Sequence, residues 1–260
     1  MSWTLAITGK GGVGKTTFAA LAVRWLGEQG KGPVLAVDAD PNACLDDALG
    51  VQVRCSVGSV REEAKAIAQD GSFGGMSKHE LLDLKIQESL VETDRFDLIS
   101  MGRCEGPGCY CYANNVLRGV IGKLADQYPA VVIDNEAGLE NLSRRTVQQP
   151  DWLVFVSDPS ARGLKTARRL FELAQEMQVA AKRFGVIVNR TRDNDSVRRV
   201  SEIFEGTEVC VLGAIPENDE LSRQDVNGEP IFGLASENPV YEASQRILAS
   251  MIERNTNGGR

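Results

Sequence analysis

The sequence lacks the features that mark membrane-spanning, nucleic-acid-binding and secreted proteins. No uninterrupted apolar run approaches the ~18 residues that a membrane helix needs. Its 29 basic residues are outnumbered by 36 acidic ones, and the net charge of −7 argues against a general electrostatic grip on nucleic acid or anionic lipid. Neither a basic segment nor a signal-peptide cleavage site precedes the first apolar run. We therefore expect a cytoplasmic protein with no nucleic-acid partner and no membrane partner.

Histidine is almost absent, and half of the cysteines are scattered. The one histidine, His79, lies at an amphipathic position that is typical of surface residues. Three of the six cysteines, Cys44, Cys55 and Cys210, are far apart in sequence and are interpreted as small buried residues. A reducing cytosol disfavours disulfides among them. The remaining three form the pattern C-x4-C-x-C, which is made by Cys104, Cys109 and Cys111.

Short runs rich in β-branched residues alternate with amphipathic segments of helical length. We predict seven strands, at Leu5–Thr8, Val34–Asp38, Phe96–Met101, Ala130–Asp134, Trp152–Val156, Phe184–Asn189 and Val209–Ile215. The predicted helices between them include Lys15–Glu28, Asn114–Gln127, Gly163–Met177 and Val197–Phe204. This alternation predicts an α/β fold, with a mostly parallel sheet of seven to eight strands and helices on both faces.

The whole chain, residues 1–260, is interpreted as a single domain. It contains no internal repeat and no low-complexity tract. The polar, strand-poor region at about 56–93 predicts a helical insertion, and a loop at about 103–113 carries the paired cysteines. The segment Asn238–Glu253 predicts a closing helix, and Asn255–Arg260 is expected to be a frayed polar tail.

A glycine-rich loop follows the first predicted strand and opens a helix. Residues 9–17 read G-K-G-G-V-G-K-T-T, a phosphate-binding loop whose glycines let backbone N–H groups turn towards phosphate oxygens. Lys15 can lie along the β- and γ-phosphates, and Thr16 can offer its hydroxyl to Mg²⁺. The absence of an Asn/Thr-Lys-x-Asp guanine signature favours ATP over GTP. The loop residues predicted to bind the nucleotide are Gly11, Gly12, Val13, Gly14, Lys15, Thr16 and Thr17.

The second lysine of this loop makes the resemblance to known proteins more specific. The pattern is similar to the deviant Walker A signature of the dimerising ATPases that include MinD, ParA, the arsenite-pump ATPase and the nitrogenase iron protein. That resemblance implies a P-loop NTPase fold, ATP hydrolysis and a homodimer in which Lys10 reaches the partner's nucleotide. A second cation against the β–γ bridge would stabilise the charge that develops in phosphoryl transfer. Lys10 and Lys15 are accordingly expected to be catalytic.

Two acidic strand ends resemble the switch segments of the same ATPases. In V-D-A-D-P, residues 37–41, the resemblance implies that Asp40 lies against the attacking water and contributes to the magnesium site. Asp38 lies nearby, and both carboxylates could instead cap a helix or act on Mg²⁺ indirectly. In the second segment Asp134 is expected to hold Mg²⁺ through water, together with Thr16. The Gly138 amide is expected to sense the γ-phosphate.

Two later strand ends resemble the family's adenine-binding segments. V-N-R, residues 188–190, resembles the Asn-Arg or Asn-Lys base contact, which implies that the Asn189 amide reads the edge of the adenine. G-A-I-P-E-N, residues 213–218, resembles the loop that closes over the base. The resemblance therefore assigns Pro216 and Glu217 to the nucleotide site.

The closely spaced cysteines raise a question of metal binding. Side chains at i and i+2 of an extended segment point the same way, so Cys109 and Cys111 can present two thiolates together. A tetrahedral thiolate site needs four ligands. In a two-fold dimer of the kind the resemblance implies, the partner subunit would supply the other two. Soft thiolates accept zinc, nickel and Cu(I) alike.

The cysteine loop narrows the resemblance further. Together with the phosphate loop, the pattern Gly-Pro-Gly-Cys-Tyr-Cys-Tyr-x-Asn resembles the CooC-type ATPases over nearly the whole chain. These are accessory proteins for nickel insertion into carbon monoxide dehydrogenase, and a close relative serves acetyl-CoA synthase. The resemblance implies that Cys109 and Cys111 bind Ni²⁺ or Zn²⁺ between subunits, with carbon monoxide dehydrogenase as the client. Cys104 could be an auxiliary ligand or a loop thiol.

Three other interpretations remain open from the sequence. The two cysteines could be fortuitous or redox-active, although a disulfide at this spacing would be strained. A nitrogenase-iron-protein-like electron-transfer ATPase would need a cysteine after the second switch, and none occurs from Gly138 to Gln149, although four Cys-x-Cys thiolates could still bind a cluster. A positioning ATPase of the MinD or ParA type would need a basic stripe or a basic amphipathic C-terminal helix, and the sequence offers neither.

Overall fold

The structure, a computed structural model, describes residues 2–60, 84–102, 119, 121–122, 124–139, 149–193 and 195–257. In this part of the chain one sheet of eight strands is present. Its order is β3-β4-β2-β5-β1-β6-β7-β8, and all neighbours are parallel except β3 with β4. The strands are β1 (Trp3–Gly9), β2 (Val34–Ala39), β3 (Val91–Glu92), β4 (Phe96–Ser100), β5 (Ala130–Asn135), β6 (Trp152–Ser157), β7 (Phe184–Thr191) and β8 (Val209–Pro216).

Helices cover both faces of the sheet. They are α1 (Lys15–Glu28), α2 (Leu45–Leu49), α3 (Ala161–Glu176), α4 (Ser196–Ile203), α5 (Asp219–Asn227) and α6 (Pro239–Asn257), with short 3-10 turns at Ala125–Gln127 and Ile231–Gly233. The core between the sheet and α1 and α6 contains Leu5 and Ile7 of β1. The core on the side of α3 and α4 contains the intervening Ala6. Successive residues of the central strand thus enter opposite cores, as the pleat of a strand requires. None of the helices described here is long and apolar enough to cross a bilayer.

The predicted fold class is confirmed, and the seven predicted strands are all present. Helix α1 has the predicted bounds, and α3 and α4 lie within two residues of theirs. The eighth strand, β3, lies at the edge of the sheet within the predicted insertion, where no strand was expected. Residues 57–60 and 84–88 of that region are helical. The expected frayed tail is wrong for residues 255–257, because α6 continues to Asn257.

Some predictions fall partly or wholly outside the described residues. These are most of the insertion, the cysteine loop and half of the predicted helix Asn114–Gln127, of which residues 119, 121, 122 and 124 are helical and Ala125–Gln127 forms a 3-10 turn. The single-domain interpretation stays a prediction.

The parallel sheet gathers the predicted site residues at one edge. Asp38 of β2 lies in register with Asp134 of β5, and Asp134 is also in register with Ile7 of β1. The phosphate loop follows β1 directly, so it begins next to the acidic end of β5, with the end of β2 on the other side of β5. Ligands of open parallel α/β sheets bind at the carboxyl ends of the strands, and this edge is where the functional residues converge.

Candidate nucleotide-binding site

The phosphate loop is shaped by glycines and closed by the start of α1. Gly14 caps the helix with φ of 92°, a left-handed conformation that favours glycine. A Cβ at this position would also collide with the Asn189 amide nitrogen. Lys10, Gly11 and Gly12 are exposed, whereas Val13 is buried. The loop therefore presents its backbone to solvent at the N-terminus of a helix, where an anion is favoured.

Lys15, the lysine that precedes Thr16, is buried within the phosphate loop. Lys15 is only 8% exposed, and its ammonium nitrogen lies 3.4 Å from the Lys10 carbonyl oxygen. Phe18 N–H closes the first helical turn on the Gly14 carbonyl at 3.1 Å. The Lys15 charge interacts electrostatically with the Asp134 carboxylate and lies in the loop, where a phosphate oxygen can approach it.

Thr16 and Asp134 provide oxygen atoms that suit a hard cation. The Thr16 hydroxyl donates to Asp134 Oδ2 at 2.5 Å, and the other carboxylate oxygen, Oδ1, is buried and has no hydrogen-bond partner among the residues that the structure describes. Burial raises the pKa of Asp134 to about 7, despite the opposing effect of the Thr16 hydrogen bond. An orphaned carboxylate oxygen beside a hydroxyl lone pair is the kind of donor set that Mg²⁺ prefers. The residues present therefore fit the predicted magnesium site.

The first switch segment is organised around Asp38. Its buried carboxylate accepts hydrogen bonds at 3.0 Å from Asp40 N–H and from Leu45 N–H, the first residue of α2. Burial raises the pKa of Asp38 to about 6, although both hydrogen bonds lower it. Of the alternatives left open by the sequence, the structure supports Asp38 as the group that fastens the loop and the start of α2.

Asp40 lies in the less buried part of the same segment. Its Oδ1 accepts from Asn42 N–H at 2.9 Å and from Asn42 Nδ2 at 3.0 Å, which forms a tight side-chain turn. Ala43, three residues after Asp40, has φ of 47° and is therefore strained. The Asp40 carboxylate is thus kept at the carboxyl edge of β2 by a loop that can store conformational strain.

The second switch segment is hydrogen-bonded to β1, the strand that precedes the phosphate loop. Thr8 Oγ1 donates to the Gly138 carbonyl oxygen at 2.5 Å, and Gly138 N–H donates to the Gly9 carbonyl oxygen at 3.3 Å. The Asn135 amide donates to the Ile7 carbonyl oxygen at 2.9 Å. The amide expected to sense the γ-phosphate is therefore engaged with the chain, and it must exchange the Gly9 oxygen for a phosphate oxygen to do so. Sequence reasoning did not identify Thr8 as a hydrogen-bond donor to the second switch segment.

Asn189 connects the end of β7 to the phosphate loop. Its Nδ2 donates to the Val13 carbonyl oxygen at 2.9 Å, and its Oδ1 accepts from Arg190 N–H at 2.9 Å. Arg190 has φ of 58°, which is strained for a non-glycine residue. Asn189 therefore stabilises the phosphate loop through the Val13 carbonyl oxygen, a role that sequence reasoning did not assign to it.

An open cleft of about 660 Å³ lies beside this position, at the carboxyl ends of β7 and β8. It is lined by Thr191, Arg192, residues 216–220 and Arg223 of α5, and it thus includes the predicted residues Pro216 and Glu217. Glu217 forms an ion pair with Arg192, with one N–O distance of 3.0 Å. The hydrogen bond from Arg192 lowers the pKa of Glu217. The cleft offers polar groups at its rim, as a heterocyclic base would require.

The cysteine residues follow two different outcomes. Cys104, Cys109 and Cys111 lie outside the described residues. Within the residues that the structure covers, no group of three His, Cys, Asp or Glu side chains could hold a metal ion. The interpretation of the scattered cysteines as buried is wrong for Cys44, which is exposed in the first switch segment, and Cys55 and Cys210 are only partly buried.

Comparisons with known proteins agree with this arrangement. Residues 4–231 match the family model described as the CobQ/CobB/MinD/ParA nucleotide binding domain. An uncharacterised ATP-binding protein of Methanocaldococcus jannaschii is 41% identical over 251 residues, covering 96% of this chain and 98% of the relative. The carbon monoxide dehydrogenase accessory protein CooC of Rhodospirillum rubrum is 28% identical over 260 residues, covering 96% of both chains. The structure of MinD from Pyrococcus horikoshii, determined with Mg-ADP, superposes with a TM-score of 0.69 at 21% identity, covering 99% of this chain and 98% of that one.

Proposed function

Because the chain belongs to the CobQ/CobB/MinD/ParA family of nucleotide-binding domains, we propose that it is a Mg²⁺-dependent ATPase whose nucleotide state controls a shared metal site. ATP draws two subunits together, and Cys109 and Cys111 of each complete a four-thiolate site for Ni²⁺ or Zn²⁺. The client is carbon monoxide dehydrogenase, as for the CooC relative. The proposed role is metal insertion during maturation of that enzyme.

The hydrolytic part of the proposal relies on groups already in place around the phosphate loop. Lys15 lies over the loop, and Thr16 and Asp134 offer oxygen atoms to the metal of Mg-ATP. Bound Mg²⁺ supplies charge neutralisation at the phosphates. Asp40 orients the attacking water from the end of β2, and Lys10 of the partner subunit neutralises charge at the β–γ bridge. Asn189 keeps the loop in its binding shape through the Val13 carbonyl oxygen.

The observation that carries the coupling to metal is the junction between β4 and the first switch. Strand β4 lies next to β2, with Ser100 in register with Asp38. Beyond the end of β4, Met101 N–H donates to the Asp38 carbonyl oxygen at 2.8 Å. The segment that leads to the cysteine loop is therefore bonded to the residue that organises switch I. A change in switch I caused by ATP would be transmitted directly to the chain that carries the thiolates.

Thermodynamic linkage turns this connection into a delivery mechanism. If ATP favours the closed dimer, and the closed dimer assembles four thiolates, then bound metal must in turn favour dimerisation or nucleotide binding. Structural thiolate sites bind zinc with roughly 10–16 kcal/mol in small peptides, so a fraction of that energy could bias a dimer. Hydrolysis loosens the closed form and releases the ion to the client.

The ATPase and its dimer dependence are tested by two lysine variants and one control. We expect Lys15→Ala to abolish ATP binding in calorimetry, because it removes the buried ammonium of the loop. Lys10→Ala should bind ATP but lose ATP-dependent dimerisation in light scattering and most phosphate release. Lys31→Ala should behave as the wild type, since this exposed lysine precedes β2 at the opposite edge of the sheet. Hydrolysis by Lys10→Ala at the wild-type rate would contradict the cross-subunit role.

A further inference from the structure

The residue before α6, Asn238, uses its side chain to join two helix starts. It is only 4% exposed. Its Oδ1 accepts from Val240 N–H at 2.9 Å and so caps α6. Its Nδ2 donates to Asn218 Oδ1 at 3.2 Å and to Glu220 Oε2 at 2.9 Å. The buried amide therefore has partners on both its oxygen and its nitrogen.

The two acceptors on the far side belong to the wall of the cleft at the ends of β7 and β8. Asn218 caps α5 by accepting from Leu221 N–H at 2.9 Å, and Glu220 lies in the first turn of the same helix. Both residues line the cleft. Helix α5 itself has no buried residue, so apolar packing does little to fix its position. The hydrogen bonds from the Asn238 amide nitrogen connect the start of α5 to α6, which is better packed.

We propose that Asn238 is a positioning residue for recognition of the nucleotide base, an inference that rests on the proposed ATP-binding function. It holds Asn218 and Glu220 in place so that the cleft is already formed when the base enters. A cleft wall that is already ordered loses less conformational entropy on binding than a mobile wall would lose. The phosphate loop lies at other strand ends and does not depend on this bond.

The hydrogen bonds from Asn238 Nδ2 to Asn218 and Glu220 form a clamp between the two helix starts. The substitution Asn238→Asp removes this clamp but keeps the cap of α6. Aspartate keeps an oxygen for Val240 N–H, so the cap of α6 is retained. The donor that faces Glu220 is replaced by an oxygen, which places two carboxylates against each other and breaks the bond. Adding Glu220→Gln restores the bond with its polarity reversed, because the glutamine amide can donate to the new aspartate.

The experiment compares the dissociation constants of ATP and of inorganic tripolyphosphate by calorimetry, for wild type, Asn238→Asp and the double variant. We expect Asn238→Asp to weaken ATP binding about tenfold and to change tripolyphosphate binding by less than about twofold. The double variant should recover most of the ATP affinity, together with the thermal midpoint that Asn238→Asp loses by placing two carboxylates against each other.

Three results would overturn the inference, and they differ in what else they affect. Unchanged ATP affinity in Asn238→Asp removes the clamp and leaves the proposed ATPase intact. An equal loss of ATP and tripolyphosphate affinity, with no rescue in the double variant, shows a general structural role. Failure of the wild type to bind ATP overturns the proposed function together with the clamp.

Discussion

At the scale of single residues, Asn189 shows how one side chain can support a loop built largely from glycine. It is nearly buried at the end of β7, and its amide reaches the Val13 carbonyl oxygen on the other side of the site. Its contact with Gly14 leaves no room for a Cβ at that position. The shape of the phosphate loop therefore depends on a residue that lies more than 170 positions away in the sequence.

The variant Asn189→Ala tests this support. Removing the amide leaves the Val13 carbonyl oxygen without its donor, which should lower the free energy of unfolding by about 1–3 kcal/mol. ATP binding should weaken by a factor of about ten, because the loop must be ordered on binding. Urea unfolding and calorimetry measure the two effects. Asn227→Ala, at an exposed asparagine near the end of α5, is the matched control, and equal behaviour of the two variants would contradict the assignment.

The predictability of the site also differs residue by residue. Lys15 and Thr16 are identified by a contiguous motif, because a phosphate loop is a local structure that one stretch of sequence can specify. Asn238 belongs to no motif, and its partners Asn218 and Glu220 are separated from it by a turn and a helix. Thr8 is equally inconspicuous within an apolar strand. Such contacts depend on how the elements pack, which the local pattern does not specify.

At the scale of elements, α1 and α6 are joined by a partly buried polar network as well as by apolar packing. Arg24 donates to Glu28 at 2.9 Å, and its guanidinium lies 4.0 Å from the centre of the Tyr241 ring. Tyr241 in turn donates its hydroxyl to Glu28. Arg24 also bonds to the Leu234 carbonyl oxygen and, at 3.1 Å, to Ser236 Oγ. The helix that begins at the phosphate loop is thus anchored to the end of the chain.

The pH dependence of stability should reveal this network. Partial burial alone would raise the pKa of Glu28, but the hydrogen bonds from Tyr241 and Arg24 outweigh burial and lower the pKa below the ordinary value of 4.5. A carboxylate with a lowered pKa in the folded state adds stability above its unfolded pKa and loses that contribution as the pH falls through the folded pKa. Glu28→Gln should therefore be less stable than wild type at pH 7, with a difference that shrinks below about pH 4.5.

Denaturant unfolding at a series of pH values measures that difference. Glu176→Gln at the end of α3 serves as the control, because Glu176 is exposed and the same charge is removed away from Arg24. A Glu28→Gln deficit that stays constant from pH 7 to pH 3 would show that the carboxylate charge contributes nothing to the junction between the helices.

The elements that the sequence did not predict share a physical cause. Helix α5 has only two apolar residues, Leu221 and Val226, which are five positions apart, so it lacks the apolar periodicity by which α1 and α3 are recognised. Strand β3 has two residues and helix α2 has five, and both are too short for a periodic signal. Tertiary contacts define them: β3 pairs with β4, and α2 is fastened by Asp38. The longer buried strands were predictable because both of their faces are apolar.

At the scale of the whole molecule, the three segments that the proposed function uses leave the sheet at the carboxyl ends of neighbouring strands. The glycine-rich loop follows β1, the loop after β2 carries Asp40, and the segment after β4 leads to the cysteines. Strand order places β4 beside β2 and β5 between β2 and β1. In the proposed function, nucleotide and metal would influence one another through these neighbouring strand ends.

The most direct test of the central claim is native mass spectrometry of the protein with Zn²⁺ or Ni²⁺, with and without Mg-ATP. We expect one metal ion per dimer, dimer formation promoted by ATP, and loss of the ion in the Cys109→Ser/Cys111→Ser variant. Cys44→Ser, which removes an exposed thiol outside the proposed metal motif, should bind metal as the wild type does. A strictly monomeric protein that holds one ion with the same affinity, or a double serine variant that keeps its metal, would contradict the account.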